Sequence, residues 1–274
     1  MEIRPIAYFK SPFPEKFGIP RQAGLAEGLK GKIVFEPDYR SADAVRGLEG
    51  FDYIWLIWGF SAASRSVSGG VSMGEDHATL GTVRGGTGAE QSGASGGAER
   101  SEASEPSRTP PETTFRATVR PPRLGGNERV GVFASRSPFR PNGLGLSSVK
   151  VSSISLESRD SSGKDNGPVI EVLGADLMDG TPIYDIKPYV EYADSHPGVR
   201  SGFVDSKVWT RLEVVLPPEA DGCGLDLAVL REVLSLDPRP RYHDDPSKVY
   251  GMTFAGRNVR FKVEDSVLTV LGID

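Results

Sequence analysis

The chain has 274 residues, and 32 Lys+Arg against 37 Asp+Glu leave a formal net charge of -5. That length can bury a proper core in one or two domains, and the mild acidity excludes a uniformly basic nucleic-acid binder but not a local basic patch. A single cysteine, Cys223, excludes an internal disulfide framework and any cysteine-based zinc site.

In chain order, Glu2 to Phe9, Lys32 to Glu36 and Phe51 to Phe60 are short runs rich in Val, Ile and aromatics, which predicts strands. Between the second and third, a helix is expected with Ser41 as N-cap, Ala42 to Glu49 as body and Gly50 as stop. Residues 61–114 hold ten Gly and ten Ser and no Phe, Tyr or Trp. Such a segment cannot bury enough surface to offset its ordering entropy, so a flexible surface insertion is expected there. Strand-like runs resume at Phe115 to Val119, Arg129 to Ala134, Leu146 to Leu156 and Val169 to Asp176. No regular βαβ alternation occurs, which argues for a mainly antiparallel sheet or barrel.

The sequence loosens from Ala193 to Gly202 and then resumes. Val208 to Leu216 reads as a strand. Leu227, Leu230, Val233 and Leu234 recur at helical spacing within Leu225 to Leu236, and Asn258 to Val263 and Val267 to Ile273 read as strands. The expectation is mainly β: residues 1–198 form an N-terminal domain interrupted at 61–114, and residues 199–274 form a smaller α+β domain.

The longest dense apolar run, Phe51 to Phe60, is about half of what a membrane span needs. The N-terminus has no cleavable apolar segment. A soluble, cytoplasmic protein is expected. The three histidines, His77, His196 and His243, are scattered, so neither a metal site nor a Ser-His-Asp site has support. A Walker-type phosphate loop is absent.

Three stretches carry chemistry. Phe115 to Asn142 holds six arginines against one acid, Glu128, a local +5 in a chain that is -5 overall. Arginine at this density, on a loop that Pro121-Pro122 and Gly125-Gly126 hold in a fixed, non-regular backbone, suits capture of phosphate or carboxylate groups. The second stretch, Asp176 to Tyr189, carries Asp176, Asp179 and Asp185 with Lys187 and two tyrosines. A turn at Asp179-Gly180 followed by a strand is expected, with Ile183, Asp185 and Lys187 on one face and Tyr184 and Ile186 on the other. The third is Pro20-Arg21-Gln22-Ala23-Gly24-Leu25, a polar pair on a loop between two strands.

Together, PRQAGL, ADAVRGLEGFDYIWLIWGF, TVRPPRLGGNERVGVFASRSPFRPNGLGLS and DLMDGTPIYDIKPY resemble the TsaA-like family, whose full-length members are tRNA N6-threonylcarbamoyladenosine methyltransferases. REVLSLDPRPRYH and VYGMTFAGRNVRFKV are similar to the C-terminal domain of the bacterial members. The resemblance implies a small antiparallel β-barrel that binds S-adenosylmethionine, usually as a homodimer with the cofactor near the subunit interface. It also implies methylation of N6 of the modified adenosine at position 37, in the anticodon loop of certain threonine tRNAs. By position, the cofactor pocket would involve Arg21, Gln22, Ala23, Gly24, Leu25, Arg136, Leu146, Ile183, Tyr184, Asp185 and Ile186. Ser61 and Ala62 stand where relatives usually have a His or Asp followed by Gln, and Gly143 stands where relatives often have Pro.

Methyl transfer from a sulfonium needs mainly positioning of donor and acceptor, with a carboxylate available for the acceptor's proton. Asp185 is the candidate base, and Lys187 is the second catalytic candidate. Arg120, Arg123 and Arg140 would hold tRNA phosphates. A non-catalytic S-adenosylmethionine- or RNA-binding protein, or methylation of another acceptor, stays open at this stage.

Overall fold

The computed structural model describes residues 2–60, 115, 117–121, 124, 128–206, 210–239 and 245–274. The expected insertion at 61–114, and with it Ser61 and Ala62, lies outside the described residues, as does Arg123.

Alternation builds the first strands. In β1 (Ala7–Lys10), Ala7 and Phe9 are buried and Tyr8 and Lys10 face out. In β2 (Lys30–Phe35), Gly31, Ile33 and Phe35 are buried, and in β3 (Tyr53–Gly59) Ile54, Leu56 and Trp58 are. A short pair, β4 (Thr118–Val119) with β5 (Val130–Gly131), lies apart. Then follow β6 (Leu144–Ser155), β7 (Val169–Leu173) and β8 (Pro182–Pro188). Six strands close a barrel in the order β1-β2-β7-β6-β3-β8, every neighbouring pair antiparallel. Closure leaves no unpaired edge. The interior is filled by Phe9, Ile33, Ile54, Leu56, Trp58, Val149, Ile170, Val172 and Ile183.

Antiparallel pairing decides where the connections go. The ends of β1, β3 and β7 and the beginnings of β2, β6 and β8 share one mouth of the barrel. The 11–29 loop, the Arg-rich segment before β6 and the 174–181 loop therefore converge there. All three stretches singled out in the sequence are brought to one end.

After a single helical turn, α1 (Glu191–Asp194), the chain forms β9 (Glu213–Val215), α2 (Leu227–Ser235), β10 (Tyr250–Phe254), β11 (Arg257–Glu264) and β12 (Val267–Ile273). These strands form a second sheet, ordered β10-β11-β12-β9, with β9 parallel to β12. Asp226 caps α2 by accepting from the Ala228 and Val229 N–H groups, and Leu230, Val233 and Leu234 are buried. The second core, with Met252, Phe261, Leu268 and Val270, also contains Phe13, Ala26 and Leu29 from the loop between β1 and β2. Ala23 of the same loop packs against the barrel core, so the loop touches both cores. Among the described residues, no helix is long and apolar enough to cross a membrane.

Three sequence expectations are corrected. The helix over 42–49 is instead two 3-10 turns, Ala42–Val45 and Leu48–Gly50. Arg46 is extended between them and Gly47 sits at φ 85, a left-handed conformation that ends any helix. Only Val45 is buried in the first turn, too little for a helical apolar stripe. Second, β10 was not anticipated, although its Tyr250, Met252 and Phe254 alternate inward. Third, the faces of β8 differ. A bulge between Ile57 and Trp58 pairs Asp185 with Ile57 and Ile183 with Trp58. The extra residue breaks the period of two, so Ile183 and Ile186 both pack on the barrel core while Asp185 and Lys187 share the outer face with Ile57 and Trp55.

Candidate cofactor site

The mouth of the barrel is organised around a carboxylate. Trp58 Nε1 donates to Ser147 Oγ at 3.0 Å, and Ser147 Oγ donates to Asp176 Oδ1 at 2.6 Å. Trp58 and Ser147 are both buried. A Cβ at Gly145 would lie 2.3 Å from Trp58 Cε2, so the indole occupies space that any side chain at 145 would take. Burial pushes the Asp176 carboxyl above its ordinary pKa. The Ser147 hydroxyl, the residue's own backbone N–H, the Arg136 charge and the Ala23 N–H each pull it partly back.

Arg136, which follows the 3-10 turn Val132–Ala134, donates to Gln22 Oε1. Gly24, at φ 79, donates its N–H to the Gly174 carbonyl at 2.8 Å, and Gly174 donates to the Leu29 carbonyl at 2.8 Å. The loop from Arg21 to Leu25 is thus tied to the chain just before Asp176. Helix α2 and the segments on either side of it brace its other side. Arg211 donates to the Leu25 carbonyl at 2.8 Å, Arg21 donates to the Arg239 carbonyl at 3.2 Å, and Glu232 accepts from the Glu27 and Gly28 N–H groups at 2.7 and 3.0 Å.

The other predicted cofactor residues lie on the same stretch of barrel wall, on its outer face. Ile57 pairs with Leu146 on one side and Asp185 on the other, and neighbours in register share a face. Leu146 is 57% exposed. Asp185 is half-buried and its Oδ1 accepts the Ile186 N–H at 2.9 Å. Tyr184 lies against Gly59, where a Cβ would sit 2.7 Å from Tyr184 Cε2. Ile183 is fully buried, and its carbonyl accepts the Ile6 N–H at 2.8 Å. Lys187 is exposed one pair further on, beside Trp55. The wall at Ile57-Trp58 and Leu146-Ser147 therefore carries the hydrogen-bonded relay inside and the Leu146–Ile57–Asp185 row outside.

The Arg-rich segment divides into two kinds of arginine. Arg140 donates to the Ser135 and Val132 carbonyls at 2.7 and 3.5 Å and lies 5.6 Å from the Phe133 ring centroid, which shapes the turn before Arg136. Arg129 donates to Thr118 Oγ1 at 2.9 Å. Arg120 is exposed. Phe133 and Phe139 are 68% and 62% exposed, an unusual display of aromatic surface beside cationic groups. Gly143 adopts φ 56, a conformation closed to proline, whose ring fixes φ near about -65°.

Sequence reading missed Ser147, Trp58, Glu232 and the role of Asp176. One signal was present for Ser147: in the strand that begins at Leu144 it is a hydroxyl at an inward position, two residues before the buried Val149. Asp179, from the same acidic cluster, instead ties the loop, accepting the Ser11 N–H at 3.0 Å.

Comparison with known proteins gives a consistent result. The family described as tRNA-methyltransferase O N-terminal domain matches residues 8–87 and 104–195, and the TrmO C-terminal domain matches residues 219–274. The tRNA (adenine(37)-N6)-methyltransferase of Escherichia coli (strain K12) is 34% identical over 280 residues, 98% of this chain and 96% of its own length. A Pseudomonas aeruginosa relative, which bears the name "Putative S-adenosylmethionine-dependent methyltransferase RcsF", is 31% identical over 259 residues, 91% of this chain and 87% of its own. The crystal structure of TrmO from Pseudomonas aeruginosa shares the fold at a TM-score of 0.64 and 24% identity, covering 100% of this chain and 98% of that one. The chain belongs to the TrmO, or TsaA-like, family.

Proposed function

We propose that this chain transfers a methyl group from S-adenosylmethionine to N6 of adenosine 37 in tRNA, its acceptor being the threonylcarbamoyl-modified adenosine of threonine tRNAs. The names of its relatives support the reaction and the donor. The observation that carries the reading is the convergence of Gln22, Ala23, Arg136 and Asp176, from three separate chain segments, at one barrel mouth.

The residues present fit the cofactor. Arg136 supplies a guanidinium for a carboxylate, Asp176 balances its charge, and Leu146 offers an apolar surface on the outer side of the adjoining wall. The backbone of Arg21 to Leu25 and of Ile183 to Ile186 would frame the rest. When bound, the cofactor supplies an electrophilic methyl group. Asp185, whose carboxylate the Ile186 N–H keeps oriented, would take the N6 proton of the acceptor as it is methylated. Lys187, further along the same outer face, supports the acceptor strand electrostatically.

The Arg-rich segment meets the tRNA. Arg120 and Arg123 hold backbone phosphates, Arg140 fixes the turn on which Phe133 stands, and the exposed rings stack on anticodon-loop bases. The active form is a cytoplasmic homodimer with the cofactor near the subunit interface, and each chain divides into residues 1–198 and 199–274.

The reading is tested by incubating the protein with labelled S-adenosylmethionine and threonine tRNA, with and without the threonylcarbamoyl group, then digesting to nucleosides. Label in the modified adenosine supports the proposal. Label only in the unmodified transcript moves the acceptor, and label in neither refutes methyl transfer.

A further inference from the structure

Asp176 stands out because its carboxylate is costly to bury and yet is held by a relay that orders its surroundings. Indole Nε1 can only donate, so the bond from Trp58 fills an acceptor position on Ser147 Oγ and leaves the hydroxyl proton for Asp176 Oδ1. The missing side chain at Gly145 makes room for that indole. Sequence choices at 58, 145 and 147, on two strands, thus serve to fix one oxygen of Asp176. Its own N–H and the Ala23 N–H also favour the charged form, and the Arg136 charge acts on it over a longer range than an ion pair. Arg136 in turn reaches Gln22. Asp179, three residues on, spends its carboxylate on Ser11 and Lys10 and plays no part in this cluster.

We propose that Asp176 is the positioning residue of the cofactor site: its carboxylate holds Arg136 and the Gln22-to-Gly24 backbone in the arrangement that receives the cofactor's charged amino-acid head. The proposal rests on the cofactor reading above and assigns within it a role that neither Gln22 nor Arg136 can supply. A neutral side chain of the same shape would be easier to bury. Burial holds the Asp176 carboxyl above its ordinary pKa, so the folded chain keeps a proton at pH values where the unfolded chain has released it. Stability therefore falls as pH rises through that window. The charge opposes folding at neutral pH, which is the pattern of a group kept for function.

The test is Asp176→Asn, read by cofactor calorimetry, thermal melting and the pH dependence of binding. Losing a charge-assisted contact should weaken S-adenosylmethionine binding about tenfold or more, with methyl transfer at saturating cofactor little changed. The melting temperature at neutral pH should stay level or rise. Wild-type affinity should fall as pH drops through the raised Asp176 pKa, and that acid limb should be missing in Asp176→Asn. Ser147→Ala, which removes a contact that favours the charged form, should move the limb to higher pH. Wild-type affinity in Asp176→Asn would overturn the proposal, as would a loss of affinity matched by a loss of melting temperature. Arg136→Ala separates the two levels: if it too binds normally, the cofactor reading fails, whereas if it alone binds weakly, only the role of Asp176 fails.

Discussion

Glu232 on α2 accepts the Gly28 N–H at 3.0 Å, with its second oxygen on Glu27 at 2.7 Å. One side chain of the C-terminal helix thus holds two backbone groups just beyond the Arg21-to-Leu25 loop. The contact is close: a Cβ at Gly28 would lie 3.0 Å from Val229 Cγ2. With Arg211 on the Leu25 carbonyl and Ala26 and Leu29 buried in the second core, the C-terminal region forms one wall of the cofactor loop. Replacing Glu232 by alanine should loosen this wall. Hydrogen bonds to a charged partner are worth about 1.5–3 kcal/mol, and a half-exposed pair belongs at the low end. Faster amide exchange at Glu27 and Gly28, with cofactor affinity several-fold weaker, is the expected result. Exchange and affinity both at wild-type values would show that the contact does not support the loop.

Asp185 sits on the outer face beside Ile57, oriented by the Ile186 N–H. If it takes the N6 proton, Asp185→Asn should lower the single-turnover rate by about 10²-fold or more while cofactor affinity holds. Single turnover near the wild-type rate with both ligands saturating would remove the base assignment and leave the methyltransferase reading in place.

Arg120 is exposed on the segment that carries the local positive charge. Each phosphate neutralised on tRNA releases counterions, so affinity should fall steeply with salt although the chain is acidic overall. Arg120→Ala should reduce the slope of log affinity against log salt by about one. An unchanged slope and affinity would place Arg120 outside the tRNA contact.

The family match skips residues 88–103 within a Gly- and Ser-rich stretch free of aromatics. Excising these residues should leave folding and methyl transfer intact, because such a sequence has little apolar surface to contribute to either core. A deletion variant that is soluble but inactive would show that they serve the site.

Much of the barrel was legible because alternation is a local signal. Ile33 and Phe35, or Ile54, Leu56 and Trp58, announce an inward face without reference to any other strand. The 41–50 segment misled because Ser41 and Gly50 look like helix ends, while Gly47 between them takes a left-handed conformation that breaks the helix. On β8 the residue types were read correctly and the faces were not, since a bulge depends on pairing with β3. The relay was illegible for the same reason. Ser147 and Asp176 are 29 residues apart and meet only once β6 and the loop after β7 share a barrel mouth. Gln22 and Arg136, 114 residues apart, could be named from resemblance but not joined.

The most direct test of the account is calorimetric titration of S-adenosylmethionine into the purified protein and its Arg136→Ala variant. Arg136 bonds Gln22, its charge favours the ionised Asp176, and its guanidinium is the group best suited to the cofactor's carboxylate. The account predicts binding to the wild type and a loss of about 1.5–3 kcal/mol, roughly ten- to a hundredfold or more, in the variant. Equal affinity in the two proteins, or no binding to either, would contradict a cofactor site at this barrel mouth.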